Sequence, residues 1–141
     1  MHRRGNVIDM HDAIRTSLEL EEIAHLYPLL YSQKRLHEWV QLFDSRAVAI
    51  RVQEGATTSV LHVHAALPEQ EEYAQENGTL LETWDNIEIR QFGNIATIKA
   101  DYVLVAERET RKGIDLLTLT NDAGGWRIVA LAYEQTQLIS R

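Results

Sequence analysis

The chain has 141 residues, 45% hydrophobic and 25% charged, which is the composition of one ordinary globular domain. It contains no cysteine, which excludes a disulfide framework, a thiolate zinc site and a cysteine nucleophile. Its 21 acidic residues against 14 basic ones give a formal charge of −7, and the basic residues are scattered apart from His2-Arg3-Arg4 and residues 108–112, so nucleic acid is not an expected partner.

A chain of this length buries roughly 68% of its unfolded surface, enough for a true core. No run approaches 18 apolar residues, so nothing reads as a membrane span. The segment Met1-His2-Arg3-Arg4 is charged like the front of a signal peptide, but residues 5–15 lack a continuous apolar stretch. Export is therefore not expected, and the absence of cysteine fits a cytoplasmic protein. Residues 1–15 read as a loosely ordered lead-in, with a helical turn around Ile8 to Ile14, and residues 16–141 as the single domain.

Thr16 and Glu19 have the spacing of a capping box, and Glu21 and Glu22 add charge that a helix start favours. Ile23, Leu26, Tyr27, Leu30 and Tyr31 then fall on one helical stripe, with Pro28 expected to bend the helix or end it early. Ser32 can cap a second short helix carrying Leu36, Trp39, Val40 and Phe43. The period changes to two at Val48, Ile50 and Val52, which predicts a strand. Residues 55–59 read as a turn or loop and 60–65 as a second strand. Pro68 and Gly78 bracket a short, very acidic helix that reads as a solvated face.

The remainder is β. Residues 79–91, 94–107, 112–120 and 125–137 are strand-like, with tips expected at Gly93-Asn94, Glu109-Thr110 and 121–125. Two of these strands reach about 13 residues, long against the usual value near 5–6, so they must twist and coil strongly. The fold class expected is α+β: a cone-shaped, mainly antiparallel sheet, a half-open barrel with N-terminal helices covering its concave side and a cavity between them.

The segments 27–47 and 113–132 carry a resemblance. The first is a helix, a turn at Gln33-Lys34, then Leu42-Phe43-Asp44-Ser45-Arg46-Ala47 leading into a strand; the second is Gly113-Ile114-Asp115-Leu116-Leu117-Thr118-Leu119, a hairpin, and Gly125-Trp126-Arg127-Ile128-Val129. With Gly93-Asn94-Ile95-Ala96-Thr97-Ile98, the chain resembles the nuclear transport factor 2-like superfamily, in its SnoaL-like and ketosteroid-isomerase-like branch, over residues 18–137. The resemblance implies a cystatin-like α+β roll. It leaves activity open, because the superfamily holds isomerases, dehydratases, cyclases and hydrolases beside many non-catalytic members.

Closing the hairpins at those tips sets Leu104 opposite Asp115, Tyr102 opposite Leu117 and Asp85 opposite Tyr102. One face then holds Asp85, Ile87, Ile89, Ile98, Ala100, Tyr102, Leu104, Asp115, Leu117 and Leu119, joined by Val129, Leu131, Tyr133 and Gln135. The resemblance makes this the concave face, since similar enzymes carry a pocket acid at the position of Asp115. A carboxyl on an aliphatic face should have a raised pKa and can donate a hydrogen bond to a substrate oxygen. Asp115 can instead cap its turn or pair with Arg127. Tyr27 matches the helix tyrosine that donates to an oxyanion in the isomerases, and it also suits the core. Those isomerases carry an aspartate base near the end of the first strand, where this chain has Arg51. An arginine cannot take a proton from carbon, so steroid-type isomerisation is not expected. Arg51 can bind a ligand carboxylate, or it can face away from the pocket, because Val48, Ile50 and Val52 offer the more apolar side.

The candidate catalytic set is therefore Asp115, Tyr27, Asp85 and His64, and the candidate ligand contacts are Tyr102, Tyr133, Arg51, Leu117 and Leu131. His62 and His64 stand two apart on a strand, where one can serve as a base, both can join a metal site given a third ligand, or both can lie at the surface. No phosphate-binding glycine loop, nucleophile elbow or metalloprotease motif is present, and no metal or cofactor is expected. The opposite face, with Val103, Val105, Ile114, Leu116, Trp126, Ile128, Ala130 and Ala132, is also apolar, which predicts a homodimer through it. Two functions remain open: binding of a small, largely apolar molecule with acid–base chemistry, or a dimeric module with a vestigial cavity.

Overall fold

A computed structural model describes residues 18–140. The lead-in at 1–15, its helical turn and the Thr16 cap lie outside these residues. The first described helix, α1 (Leu20–Ser32), starts at a capping box one turn later than expected. Glu19 caps it, and the Glu19 backbone N–H donates to Glu22 Oε1 at 2.8 Å. The helix does not stop at Pro28. Ile23, Tyr27, Leu30 and Tyr31 are buried on both sides of the proline, and their packing outweighs the lost hydrogen bond.

Ser32 does not cap the next helix, α2 (Leu36–Val40), whose N-terminal flanking residue is Arg35. Its hydroxyl instead accepts from the Glu82 backbone N–H at 2.8 Å and donates to the Glu82 carbonyl at 3.0 Å, clipping α1 to a strand fifty residues away. The strands β1 (Phe43–Gln53) and β2 (Ala56–His62) form a hairpin. Its turn is tighter than expected because Glu54 and Gly55 both adopt positive φ, 54° and 77°, which allows a two-residue connection. The second strand therefore begins at Ala56 and ends at His62.

Helix α3 (Leu67–Glu76) has Pro68 in its first turn, as read, and Asn77 rather than Gly78 flanks its end. Asn77 ties that end down twice: its amide donates to the Tyr73 carbonyl at 2.8 Å and accepts from the Glu107 N–H at 3.2 Å. Four long strands follow, β3 (Leu80–Phe92), β4 (Ile95–Ala106), β5 (Glu109–Asp122) and β6 (Gly125–Ser140). One six-stranded sheet results, in the order β2-β1-β6-β5-β4-β3, with β1 and β6 the only parallel pair. Residues from edge strands β2 and β3 line the same cavity, so the sheet curls over the helices. Ile23, Leu30, Leu42, Ile98, Leu117, Leu119 and Ile128 are fully buried between them. The expected α+β roll is the observed architecture.

The register departs from expectation at three places, and two of them change which side chains face inward. The β4–β5 tip is Glu107-Arg108, not Glu109-Thr110, so Asp115 faces Ala100 and Tyr102 faces Gly113. Gly113 pins this register. A Cβ there would lie 1.8 Å from the Glu134 carbonyl oxygen and 2.8 Å from the Tyr102 ring, so only glycine fits opposite the tyrosine. The slip is four residues, an even number, and every β5 side chain keeps its expected face. The second departure is a bulge between Asp85 and Glu88, where Asn86 takes a φ of 52°. It adds one residue, an odd number, and turns Glu82 and Trp84 inward while Asp85 and Ile87 turn out. The third is a bulge at Val129, opposite Thr118 and Leu119, which swings Trp126 and Ile128 from the expected outer face into the core.

Candidate functional site

The helices and the inner sheet face enclose a cavity of about 350 Å³. Its floor is one row across adjacent strands: Ser59 on β2, Arg51 on β1, Tyr133 on β6 and Asp115 on β5 are paired in succession, and Ala100 on β4 continues the row into the core. The conflict over β1 resolves from this row. Ala47 and Ala49 are buried and Arg51 lines the cavity, while Val48, Ile50 and Val52 occupy the other face. Tyr27 and Tyr31 from α1, Trp39 from α2 and Tyr73 from α3 complete an aromatic wall with Tyr102 and Tyr133. Tyr27 stacks on Trp84 at 4.6 Å between centroids and meets Trp39 edge-on at 5.6 Å.

Asp115 is 4% exposed and forms no ion pair with any described residue. Its Oδ2 accepts from Trp84 Nε1 at 2.9 Å, and its carboxyl is also hydrogen-bonded to Glu82. Burial pushes its pKa up to about 7, and the hydrogen bonds from Trp84 and Glu82 hold it from rising further. The Glu82 carboxyl is raised well above the ordinary carboxylate range, first by burial and then by the Asp115 charge and the hydrogen bond to it. The residue is partly exposed, yet its carboxyl is enclosed. The hydrogen bond between the two carboxyls raises Glu82 and lowers Asp115, so within the pair Glu82 is the donor and Asp115 the acceptor. Tyr27 is raised well above its usual value by burial and then by Asp115, so its hydroxyl keeps its proton. Burial also raises Tyr102 and Tyr133, while the positive field of Arg51 lowers Tyr133.

Among the described residues, three buried side-chain polar atoms lack a hydrogen-bond partner: Trp39 Nε1, Arg51 Nε and the Tyr73 hydroxyl. All three belong to cavity-lining residues. Arg111 also lines the cavity, but its guanidinium is bound to Glu109 and sits over the Tyr73 ring at 5.7 Å.

Asp115, Tyr27, Tyr102, Tyr133, Arg51 and Leu131 meet at this cavity. Leu117 does not reach it and belongs to the core. Asp85 is excluded by the bulge; it is exposed, and its Oδ1 accepts from the Asn86 N–H at 2.9 Å. His64 lies in the turn after β2, 3.0 Å from the Phe43 carbonyl oxygen, and His62 is exposed at the strand end, so the two do not share a strand face. His37 pairs with Glu71 at 3.0 Å on the surface. No three His, Asp or Glu among the described residues are placed to hold a metal. Sequence reasoning missed Glu82 and Trp84. The available signal was Asn86, a residue suited to positive φ in the middle of an apparent strand.

No protein-family model and no curated protein matches the chain. Solved structures do. A proposed scytalone dehydratase from Novosphingobium aromaticivorans superposes with a TM-score of 0.72 at 14% identity, covering 86% of this chain and 85% of that one. The β subunit of a proposed aromatic-ring-hydroxylating dioxygenase from the same organism gives 0.68 at 16% identity, over 84% and 87% of the two chains. An NTF2-like protein with a cystatin-like fold, also from Novosphingobium aromaticivorans, gives 0.66 at 15% identity, over 84% and 80%. The chain has the fold of these proteins, the last of which is described as NTF2-like and cystatin-like, as the sequence resemblance implies. No helix among the described residues is long and apolar enough to cross a membrane.

Proposed function

We propose that the protein binds a small, largely apolar molecule in the cavity and performs acid–base chemistry on it through Asp115 and Glu82. The observation that carries this reading is the enclosed, hydrogen-bonded carboxyl pair at the cavity, with Asp115 pushed up to about 7 and Glu82 raised well above the ordinary carboxylate range by burial. A base that titrates near the working pH beside an acid that still holds its proton can remove one proton and deliver another, as isomerisation or dehydration requires. Tyr27 stands beside the pair as a neutral hydroxyl donor for a developing oxyanion. Arg51 stands where the resemblance implies the isomerase base, so ketosteroid-type isomerisation is not the reaction favoured. The hydrogen bonds that already engage Asp115 with Trp84 and Glu82 favour a second reading, a binding module without turnover.

Carbon-detected NMR of the side-chain carboxyls tests the acid–base reading. Asp115 is expected to titrate near 7 and Glu82 well above the ordinary carboxylate range. Two ordinary titrations below pH 5 overturn the reading.

The protein is further read as a homodimer through the outer sheet face. That face presents Val48, Ile50, Val52, Ile114, Leu116, Ala130 and Ala132, with Val103 toward its edge, and Leu116 is 42% exposed. Trp126 and Ile128, which strict alternation puts on this face, are 6% and 0% exposed in the core and form no part of it.

A further inference from the structure

The cavity wall holds buried donors that no protein acceptor meets. Arginine guanidinium and tryptophan indole groups donate hydrogen bonds and cannot accept them. Arg51 Nε and Trp39 Nε1 are both buried without a partner, and the Tyr73 hydroxyl is a third unpartnered group on the same wall. A buried donor left unmatched is costly, so a ligand that brings acceptors gains where water-exposed donors would give little. Charge sharpens the choice. Arg51 forms no ion pair with any described residue, whereas the neighbouring Arg111 is already bound to Glu109.

The placement of charge also gives a direction. Arg51 and Asp115 flank Tyr133 in one row, on strands β1, β6 and β5. Two strand spacings separate their backbones by about 10 Å. An anionic group is attracted at the Arg51 end and repelled at the Asp115–Glu82 end. Between them lies the Tyr133 ring, under a wall of further aromatic side chains. A cavity of about 350 Å³ has room for a molecule of about two fused rings.

We propose that the cavity takes an aromatic carboxylate, its carboxylate bound by Arg51, its ring against Tyr133, and its opposite end directed at the Asp115–Glu82 pair. This rests on the cavity being a ligand site, and it does not require turnover there. Arg51 thereby sets ligand class and orientation, in the place where similar isomerases carry a base.

Isothermal titration of the full chain at pH 7.5 tests this with three probes: 2-naphthoate, its neutral amide 2-naphthamide, and cyclohexanecarboxylate. Naphthoate should bind at least about tenfold more tightly than either of the others, the scale of one charge-assisted hydrogen-bond pair. Arg51→Gln should remove the preference for naphthoate over the amide, Arg51→Lys should restore part of it, and Arg90→Gln, at an exposed β3 position, should leave it unchanged. Equal binding of acid and amide by the unaltered protein overturns the proposal, and so does absence of naphthoate binding at millimolar concentration. Retention of the preference in a folded Arg51→Gln protein, with folding checked by thermal melting, overturns it as well. The NMR titration of Asp115 and Glu82 fails or succeeds separately. If the pair titrates ordinarily while naphthoate is preferred, the ligand class stands and the acid–base reading falls.

Discussion

The two faces of the sheet invert what hydropathy alone would assign. On β1 the residues turned to the cavity are Ala47, Ala49 and Arg51, and those turned away are Val48, Ile50 and Val52. The larger aliphatic side chains thus lie on the face without helices. Small residues are needed inside because α1, α2 and the aromatic wall already fill the concavity, and a charge is tolerated where it borders open volume. The outer face keeps apolar area that only another surface can cover. The apolar pattern of a strand therefore does not by itself say which of its faces the chain's own helices cover.

The most damaging way to disturb the inner face is at its tightest point. Gly113→Ala should destabilise the fold by about 3 kcal/mol or more, read as a lowered urea midpoint, because its methyl would overlap the Glu134 carbonyl. Unchanged stability would mean that the β4–β5 register can slip. On the outer face, the double change Ile50→Asp and Leu116→Asp should convert a dimer to monomers in light scattering, with a shift of about a hundredfold or more in dissociation constant. A stable monomer of the unaltered protein at tens of micromolar ends the dimer reading.

A smaller effect separates the faces by pH. Burial raises Asp115 from 3.8 to about 7, so the folded chain binds its proton more tightly than the unfolded chain does. The stability this provides is fully present below about pH 3.8 and is lost as pH rises through about 7. Asp115→Asn should flatten that limb of the melting profile and raise the Tm at pH 8 by about 3 °C, while lowering any acid–base activity. The reverse slope between pH 4 and 7 would place the proton elsewhere. The smallest change expected is Ser32→Ala, which removes the α1–β3 clip and should cost about 1 kcal/mol in chemical denaturation.

Much of the fold was legible because its signals are periodic and local. The stripe through Ile23, Tyr27 and Leu30, the Gly93-Asn94 tip and the long strands all appear in the structure. Of the site, Asp115, Tyr102 and Tyr133 were placed on the correct face even though the expected hairpin tip was wrong, since an even slip preserves side-chain facing. The errors at Asp85, Trp126 and Ile128 share one cause. Each lies beyond a one-residue bulge, and strict alternation carried through a bulge reverses every later assignment. His64 was misplaced for a simpler reason: β2 begins earlier than its turn residues suggested and has already ended.

The bulge at Asn86 has an evolutionary consequence. Loss of that single codon would remove the bulge and leave Glu82 and Trp84 facing the cavity, because Asp85 would still pair with Asp101 and Trp84 with Tyr102. Straightening the strand with all its residues kept would instead set Asp85 opposite Tyr102, exchanging Glu82 and Trp84 for Thr83 and Asp85 on the cavity side. The hydrogen-bonded carboxyl pair would then vanish and an aspartate would enter from another direction. Relatives that keep or lose the bulge at equal strand length would carry different chemistry on the same scaffold. Aligning them by acidic residues alone would match side chains that point to opposite sides of the sheet.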